Sequence, residues 1–192
     1  MDRKDTTSFL LDTLIQDRLT DRKYYAREVT LNYGTRHPKR IDVMQFVPQG
    51  VTYASDIEKG IFICYEIKSC KQDVYSGHGL NFYGEKNYIV TTMETYKELQ
   101  PDIRDGKLTK HIMDLMGEKT IPSYGFMAPV PGYIDLRKTS DTYAEYENPT
   151  PIDSYNDWKL WLIYESGKHF VRLRSMNELL FCMLRAKHNN SC

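Results

Sequence analysis

The sequence predicts an α/β (α+β) fold: a mixed central sheet, made of an antiparallel meander plus a further strand, flanked by helices. A helical pattern over residues 6–20 precedes three strand-like segments that are joined by short connections. Strands joined in this way usually pair as antiparallel neighbours, so the three segments form the meander. Beyond them, helical and strand-like segments continue to alternate, which is typical of one mixed α/β domain.

The composition is that of an ordinary globular protein. The chain has 192 residues, of which 41% are hydrophobic and 27% are charged, enough for a single domain with a real core. Its 26 basic and 26 acidic side chains balance, which argues against a protein that coats nucleic acid through bulk charge but allows a local basic cleft. We expect one domain over residues 1–192, with a core over about 6–130 and a C-terminal extension over about 131–192 packed on it.

No apolar run approaches the roughly 18 residues of a membrane span, and the first residues lack the pattern of a secretion signal. We therefore expect a cytoplasmic protein without a membrane partner. The four cysteines match no zinc-binding spacing and are expected to be reduced. They are Cys64, Cys70, Cys182 and Cys192.

The first half of the chain contains the strands of the predicted meander. The helix over residues 6–20 can be capped by Thr6-Thr7-Ser8. The first strand, residues 27–33, alternates apolar and polar side chains, as a half-buried strand does. A second strand follows over residues 40–47. The third, residues 61–65, is β-branched and aromatic and therefore buried.

The second half of the chain alternates helices and strands. Pro101 is expected to end a helix that starts at Met93, because proline disrupts a helix interior. Ser175 and Glu178 form a capping box, which predicts a helix over residues 175–186. The remaining expectations are a helical turn and loop over 69–84, a strand over 87–92, a helix over 108–116, a strand over 125–130, an extended excursion over 134–157, and strands over 158–164 and 169–173 joined by a hairpin turn at 165–168.

Three acidic residues and one lysine lie on successive strands of the meander, in an order that indicates a functional site. Glu66 and Lys68 project from the same face of the third strand, because side chains alternate along a strand. Asp42 lies on the second strand and Glu28 on the first. A carboxylate and an amine at the end of a buried strand are costly unless a function uses them.

The four residues suit a Mg²⁺ site, for which Mn²⁺ can substitute. Mg²⁺ prefers oxygen ligands and keeps several waters, so one or two carboxylates can hold it. Asp42 and Glu66 supply these ligands together with the carbonyl of Ile67, and Glu28 could add another. A bound metal polarises a phosphoryl oxygen, and Lys68 would assist the attacking water or stabilise developing charge. The predicted catalytic residues are thus Asp42, Glu66, Lys68 and Glu28.

The Glu66-Ile67-Lys68-Ser69 strand resembles the PD-(D/E)XK nuclease superfamily, and most closely its MmcB-like DNA repair branch. The resemblance covers about residues 6–92 and includes Glu28, the Gly34 turn with Arg36 and Arg40, and Asp42. It implies a restriction-endonuclease-like core, a Mg²⁺ or Mn²⁺ cofactor and a nucleic-acid partner, expected to be DNA. The tryptophan that this branch has after Asp73 is absent from this chain. Because cutting both strands of a duplex suggests two copies of the chain, a homodimer is one expectation.

The expected contacts to nucleic acid are basic and polar side chains near the site. A basic turn leads directly into Asp42, where it can meet a phosphate backbone. The helical turn after the third strand carries two further candidates, since a polar residue there often assists in this superfamily. A histidine in the following glycine-rich loop could contact a phosphate. These predicted contacts are Arg36, Lys39, Arg40, Lys71, Gln72 and His78.

Three other interpretations remain open from the sequence. Glu66 and Lys68 could form only a surface salt bridge, because a two-residue spacing of opposite charges is common. The chain could instead be a degenerate nuclease fold that binds nucleic acid or acts as an inhibitory protein-interaction module. In the third interpretation the acidic residues are surface charge, and a partner surface formed by residues 134–157 and the last helix carries the function.

Overall fold

The structure, a computed structural model, describes residues 2–19, 24–117, 123–132, 157–167 and 172–189. Its strands are β1 (Tyr24–Leu31), β2 (Lys39–Val47), β3 (Ile61–Lys68), β4 (Lys86–Thr91), β5 (Gly125–Pro131) and β6 (Trp158–Tyr164). Its α-helices are α1 (Arg3–Leu14), α2 (Ala54–Glu58), α3 (Lys71–Val74), α4 (Met93–Arg104), α5 (Lys107–Met116) and α6 (Met176–Asn189), and a π-helical turn, Ile15–Leu19, continues α1.

The six strands form one mixed sheet in the order β1-β2-β3-β4-β5-β6. The pairs β1–β2 and β2–β3 are antiparallel, which confirms the predicted meander. β3, β4 and β5 run parallel, and β6 closes the far edge by antiparallel pairing with β5. The predicted fold class, a mixed central sheet flanked by helices, is therefore confirmed.

Helices cover both faces of the sheet. α1 packs on one face through Leu10 and Leu14, which contact Val43, Tyr65 and other apolar side chains of the strands. The other face has two apolar clusters, one under α6 and one under α4 and α5. The polar side chains of Glu66 and Lys68 belong to this second face. Glu66 and Lys68 thus place a carboxylate and an amine on the face that carries the α6 and α4–α5 clusters.

The first helix starts earlier than the sequence predicted. It begins at Arg3, and Asp2 rather than Thr6-Thr7-Ser8 is its N-cap, accepting a hydrogen bond from the Asp5 N–H at 2.8 Å. The Thr6 hydroxyl instead donates to the Asp2 carbonyl one turn back. An ionised carboxylate at the N-terminus of a helix binds the exposed N–H groups and matches the helix dipole, so Asp2 is the favoured cap.

The prediction that Pro101 ends a helix was wrong, because α4 continues to Arg104. Asp102, in the turn after the proline, accepts hydrogen bonds from Tyr75 and Lys107 and pairs with Lys71. These contacts hold the last turn in place although proline contributes no N–H. Tertiary contacts therefore outweigh the local cost of the proline.

The C-terminal part of the chain contributes to the same sheet. β6 lies where the sequence predicted a strand, and Trp158 and Trp161 lie on its opposite faces in two different apolar clusters. α6 starts after Ser175, whose hydroxyl accepts a hydrogen bond from the Glu178 N–H at 3.2 Å. The predicted excursion over 134–157 and the hairpin with its strand over 169–173 fall largely on residues 133–156 and 168–171, outside the described residues.

None of the helices in the described parts of the chain has the length and apolar character needed to cross a membrane. The three described cysteines, Cys64, Cys70 and Cys182, are free.

Candidate active site

The candidate site lies where β2 and β3 separate, and we call this point the strand fork. The β2–β3 ladder ends at the Val43–Tyr65 pair, whereas β2 continues to pair with β1 as far as Lys39. Beyond the last pair, the Asp42 carboxylate accepts a hydrogen bond from the Ile67 N–H at 2.8 Å. The Asp42 side chain thus accepts the hydrogen bond that a backbone carbonyl of β2 would accept if the ladder continued.

Glu66 and Lys68 lie next to the strand fork and are buried, with 0% and 5% of their surfaces exposed. The Lys68 ammonium donates to the His78 carbonyl at 2.9 Å. One Glu66 oxygen, Oε1, accepts from the Asn81 N–H at 3.1 Å, whereas Oε2 is buried without a hydrogen-bond partner. A buried polar atom that lacks a partner is uncommon and calls for an explanation.

Gly79 makes room for these two side chains. Its φ is +78°, a region that other residues rarely adopt. A Cβ atom at this position would lie 2.6 Å from the Lys68 Nζ and 2.8 Å from the Glu66 Oε2. The ammonium and the unpartnered oxygen therefore border the same small space beside the glycine.

Both carboxylates of the site, Glu66 and Asp42, have raised pKa values. Burial raises the pKa of Glu66 to about 8, with a further contribution from the negative charge of Asp42, while Lys68 and the N–H of Asn81 act against the rise. Burial also raises the pKa of Asp42, against the opposing effects of the Ile67 N–H and the Lys68 charge. Two neighbouring carboxylates in a buried position disfavour each other's charged form.

Asn81 connects the two sides of the strand fork. Its side-chain amide donates to the Arg40 carbonyl on β2 at 2.6 Å. Its backbone N–H donates to Glu66 on β3. Because one residue bonds both strands, Asn81 fixes the position of Glu66 relative to the β2 segment that carries Asp42.

A cavity of about 600 Å³ opens at the strand fork. Asp42 and Lys68 line it together with residues of α1, the start of β2, the loop over residues 77–81 and the end of α5. Seven of the residues predicted from the sequence line this cavity or its edge. They are Glu28, Lys39, Arg40, Asp42, Ile67, Lys68 and His78.

Glu28 and Arg40 form an exposed ion pair, with 2.9 Å between Glu28 Oε2 and Arg40 Nη1. Glu28 has a left-handed backbone, with φ of 54°. The Lys39 ammonium donates to the Leu115 carbonyl at the end of α5, at 2.9 Å. Both basic residues predicted at the end of this turn therefore reach the cavity, each with a protein partner.

Three predicted contacts lie elsewhere. Arg36 is exposed in the turn before β2 and does not line the cavity. Lys71 turns toward α4, where its ammonium donates to the Glu98 carbonyl at 2.9 Å and pairs with Asp102 at 2.8 Å. Gln72 borders a separate shallow depression with Lys71. The structure does not bring these three side chains together with Asp42.

Asp42 and Glu66 can hold a hard divalent cation. Within the described residues no group of three or more histidine, cysteine, aspartate or glutamate side chains comes together, so Glu28 does not join the pair. Mg²⁺ needs only one or two carboxylates because it retains waters. The unpartnered Glu66 Oε2 and the mutual repulsion of the two carboxylates are what a bound cation would relieve, so the residues fit Mg²⁺.

The sequence did not identify four residues that shape the site. Gly79, Asn81 and Asp73 lie in the segment that the sequence predicts only as a helical turn and loop over residues 69–84. Arg3 of α1 lines the cavity and forms an ion pair with Asp73. The glycine spacing around residue 79 was the only signal, since the other contacts join residues far apart in the chain.

No protein-family model matches this sequence, and no curated protein or solved structure is significantly similar to it. The resemblance to PD-(D/E)XK nucleases rests on the residues quoted for it, from Glu28 to Ser69, and stays an expectation.

Proposed function

We propose that this protein is a metal-dependent nuclease that hydrolyses phosphodiester bonds in DNA, with Mg²⁺ as the cofactor and Mn²⁺ able to replace it. The observation that supports the proposal most strongly is the unpartnered, fully buried Oε2 of Glu66 beside Asp42. A fold that buries two repelling carboxylates loses stability unless something binds there. A divalent cation is the partner that this chemistry favours.

Asp42, Glu66 and the Ile67 carbonyl would hold the metal. In a strand, the N–H and carbonyl of one residue point toward the same neighbour. Because the Ile67 N–H bonds Asp42 across the fork, the Ile67 carbonyl faces the same side. When bound, a divalent cation of this kind polarises a phosphoryl oxygen and acidifies water.

Lys68 is the residue placed to stabilise negative charge during the reaction. Its ammonium is nearly buried, and the His78 carbonyl fixes its position. A fixed cation in a site that excludes water stabilises charge developing on phosphate more strongly than one in bulk solvent. Lys39, on the cavity wall and without a carboxylate partner in the described parts of the chain, can orient a phosphate group of the strand.

The proposal is tested by measuring Mg²⁺-dependent cleavage of fluorescently labelled DNA by the wild type and by Asp42→Asn, Glu66→Gln and Lys68→Met. Asp42→Asn and Glu66→Gln each remove a charge that holds the metal, and Lys68→Met removes the charge that faces the reacting phosphate, so we expect losses on the order of 100-fold to 1,000-fold. The exposed Glu94 and Lys110 lie outside the cavity, and Glu94→Gln and Lys110→Met are the matched controls. Equal cleavage by all six proteins would contradict the proposal.

A binding protein without catalysis is the second candidate. Two observations favour it: the buried Glu66 does not line the cavity, whereas Gly79 and Asn81 do. In addition, Glu28 is paired with Arg40. Such a protein would bind labelled DNA but leave it intact in Mg²⁺ and in Mn²⁺. If the wild type cleaves DNA and Asp42→Asn does not, the protein is a nuclease and not only a binding protein.

A further inference from the structure

The cavity at the strand fork is walled on several sides. Arg3 and Leu11 of α1 form one wall, and Lys39 at the start of β2 forms another. The loop over residues 77–81 and Leu115 near the end of α5 line further sides, and the cavity stays open to solvent between them. Only 5% of the surface of Lys68 is exposed, so the groups proposed to act on phosphate lie at the inner end of the cavity.

Two polar contacts join these walls. The Arg3 guanidinium pairs with the Asp73 carboxylate and links α1 to the segment after β3. The Lys39 ammonium bonds the Leu115 carbonyl and links β2 to α5. The cavity volume of about 600 Å³ lies in the range of pockets that enclose ligands of small-molecule size.

Few positive charges in the cavity are available to nucleic acid. Arg3 pairs with Asp73, and Arg40 pairs with Glu28. Lys39 and Lys68 donate to backbone carbonyls, and in the described parts of the chain neither has a carboxylate within ion-pair distance. Among its described lining residues the cavity therefore offers about two unneutralised cations, whereas proteins that bind a duplex commonly contact roughly six to ten phosphates.

From the enclosure and this charge count we infer that the site takes a single-stranded terminus of nucleic acid and not the interior of a duplex. The inference rests on the proposed function and specifies its substrate. A flexible strand end can bring one phosphate to Lys68 with one or two neighbouring nucleotides inside the walls. A phosphate within a duplex is attached to a rigid helix and a second strand, and a cavity of about 600 Å³ cannot also enclose these.

The test compares four DNA probes of matched sequence with the full chain in Mg²⁺: a linear single strand, the same strand circularised, a blunt linear duplex, and a supercoiled plasmid. We expect the linear single strand to be degraded from an end. The other three should react at least about 10-fold more slowly, because each lacks a free single-stranded end. Separate 5′ and 3′ labels report which end enters.

Cleavage of the circular strand or nicking of the plasmid at a rate close to that of the linear strand would overturn the inference while leaving the nuclease intact. Absence of cleavage on every probe would instead overturn the proposed function. In that case, fluorescence anisotropy with the linear and the circular strand still decides the inference, which requires tighter binding of the strand with a free end.

The salt dependence of binding tests the charge count independently. With about two phosphate contacts on a single strand, log K should fall against log salt with a slope of roughly −1.4. Lys39→Met should reduce the magnitude of this slope by roughly 0.7, and the control Lys110→Met should leave it unchanged. A slope steeper than about −4 would mean a long contact with the phosphate backbone and would contradict the inference.

Discussion

Glu66 and Asp102 are both buried carboxylates near lysines, but their surroundings differ. Asp102 accepts a hydrogen bond from the Tyr75 hydroxyl at 2.9 Å and pairs with Lys71 and Lys107. These partners lower the pKa of Asp102. Glu66 has one hydrogen bond on Oε1, none on Oε2, and a raised pKa.

The charged form of Asp102 is stabilised by its partners, whereas the charged form of Glu66 is disfavoured by its surroundings. The Asp102 cluster joins α3, α4 and α5, and each of its charges has a partner. At the strand fork, the Glu66 carboxylate is buried, its Oε2 atom has no hydrogen-bond partner, and the Asp42 carboxylate lies nearby. Local arrangements that oppose stability are typical of functional sites.

The largest effect expected from changing the surroundings of Glu66 comes from Gly79→Ala compared with Gly77→Ala. Both glycines have φ near +78°, so both substitutions impose similar backbone strain. At Gly79 the new Cβ would also displace Lys68 and Glu66, whereas at Gly77 no atom lies within 4 Å. We expect Gly79→Ala to reduce DNA cleavage on the order of 100-fold and Gly77→Ala to change it little. Similar losses in both variants would mean that strain, not the space beside Lys68, matters.

The second prediction concerns metal binding measured by thermal unfolding. If Mn²⁺ is present at about 100 times its dissociation constant, it should stabilise the wild type by about 2.7 kcal/mol, or roughly 5–10 °C. Glu66→Gln and Asp42→Asn should lose most of this shift, because each removes a ligand charge. Asp102→Asn should keep it in full. A shift that survives in Glu66→Gln would place the metal elsewhere.

The third prediction is that Glu66→Gln and Asp102→Asn change the stability of the fold in opposite directions, measured by thermal unfolding in EDTA at pH 7. With its pKa raised to about 8, the folded Glu66 carboxyl is largely protonated at pH 7, whereas the unfolded one is ionised, so folding requires an unfavourable proton uptake. Glu66→Gln removes this cost and keeps an acceptor for the Asn81 N–H, so we expect a gain of about 1–2 kcal/mol. Asp102→Asn removes the charge that two lysines face, so its melting temperature should fall. A loss of stability in Glu66→Gln would show that the Glu66 charge supports the fold as Asp102 does.

The smallest expected effect is the pH dependence of the melting temperature in EDTA. The pKa of Glu66 is raised from 4.5 to about 8, so the folded state holds the proton more tightly, and stability falls as pH rises through this window. The pKa of Asp102 is lowered from 3.8, so its contribution is present above that pH and is lost on acidification. Glu66→Gln should flatten only the decline between about pH 4.5 and 8, and Asp102→Asn only the loss of stability on acidification.

Sequence reasoning succeeded where a short-range periodicity decided the structure. The alternation of side chains placed Glu66 and Lys68 on one face, and short connections predicted the β1-β2-β3 meander. Both follow from strand geometry alone.

Other features depend on contacts between distant segments, which no local pattern encodes. The Asn81 bond to Arg40 joins residues 41 positions apart. Lys71 turned to Asp102 instead of the cavity, and the same cluster allowed α4 to continue past Pro101. The position of each of these side chains was decided by its tertiary partners.

The left-handed backbone of Glu28 has a consequence for association between molecules. β1 is an outer strand of the sheet, and such strands can add a strand from another molecule and so lead to aggregation. At Glu28 the chain departs from extended geometry, with φ of 54°, and a charged side chain marks the same position. An incoming strand could not keep a continuous ladder past this residue, so the outer edge of the meander is protected against uncontrolled growth of the sheet.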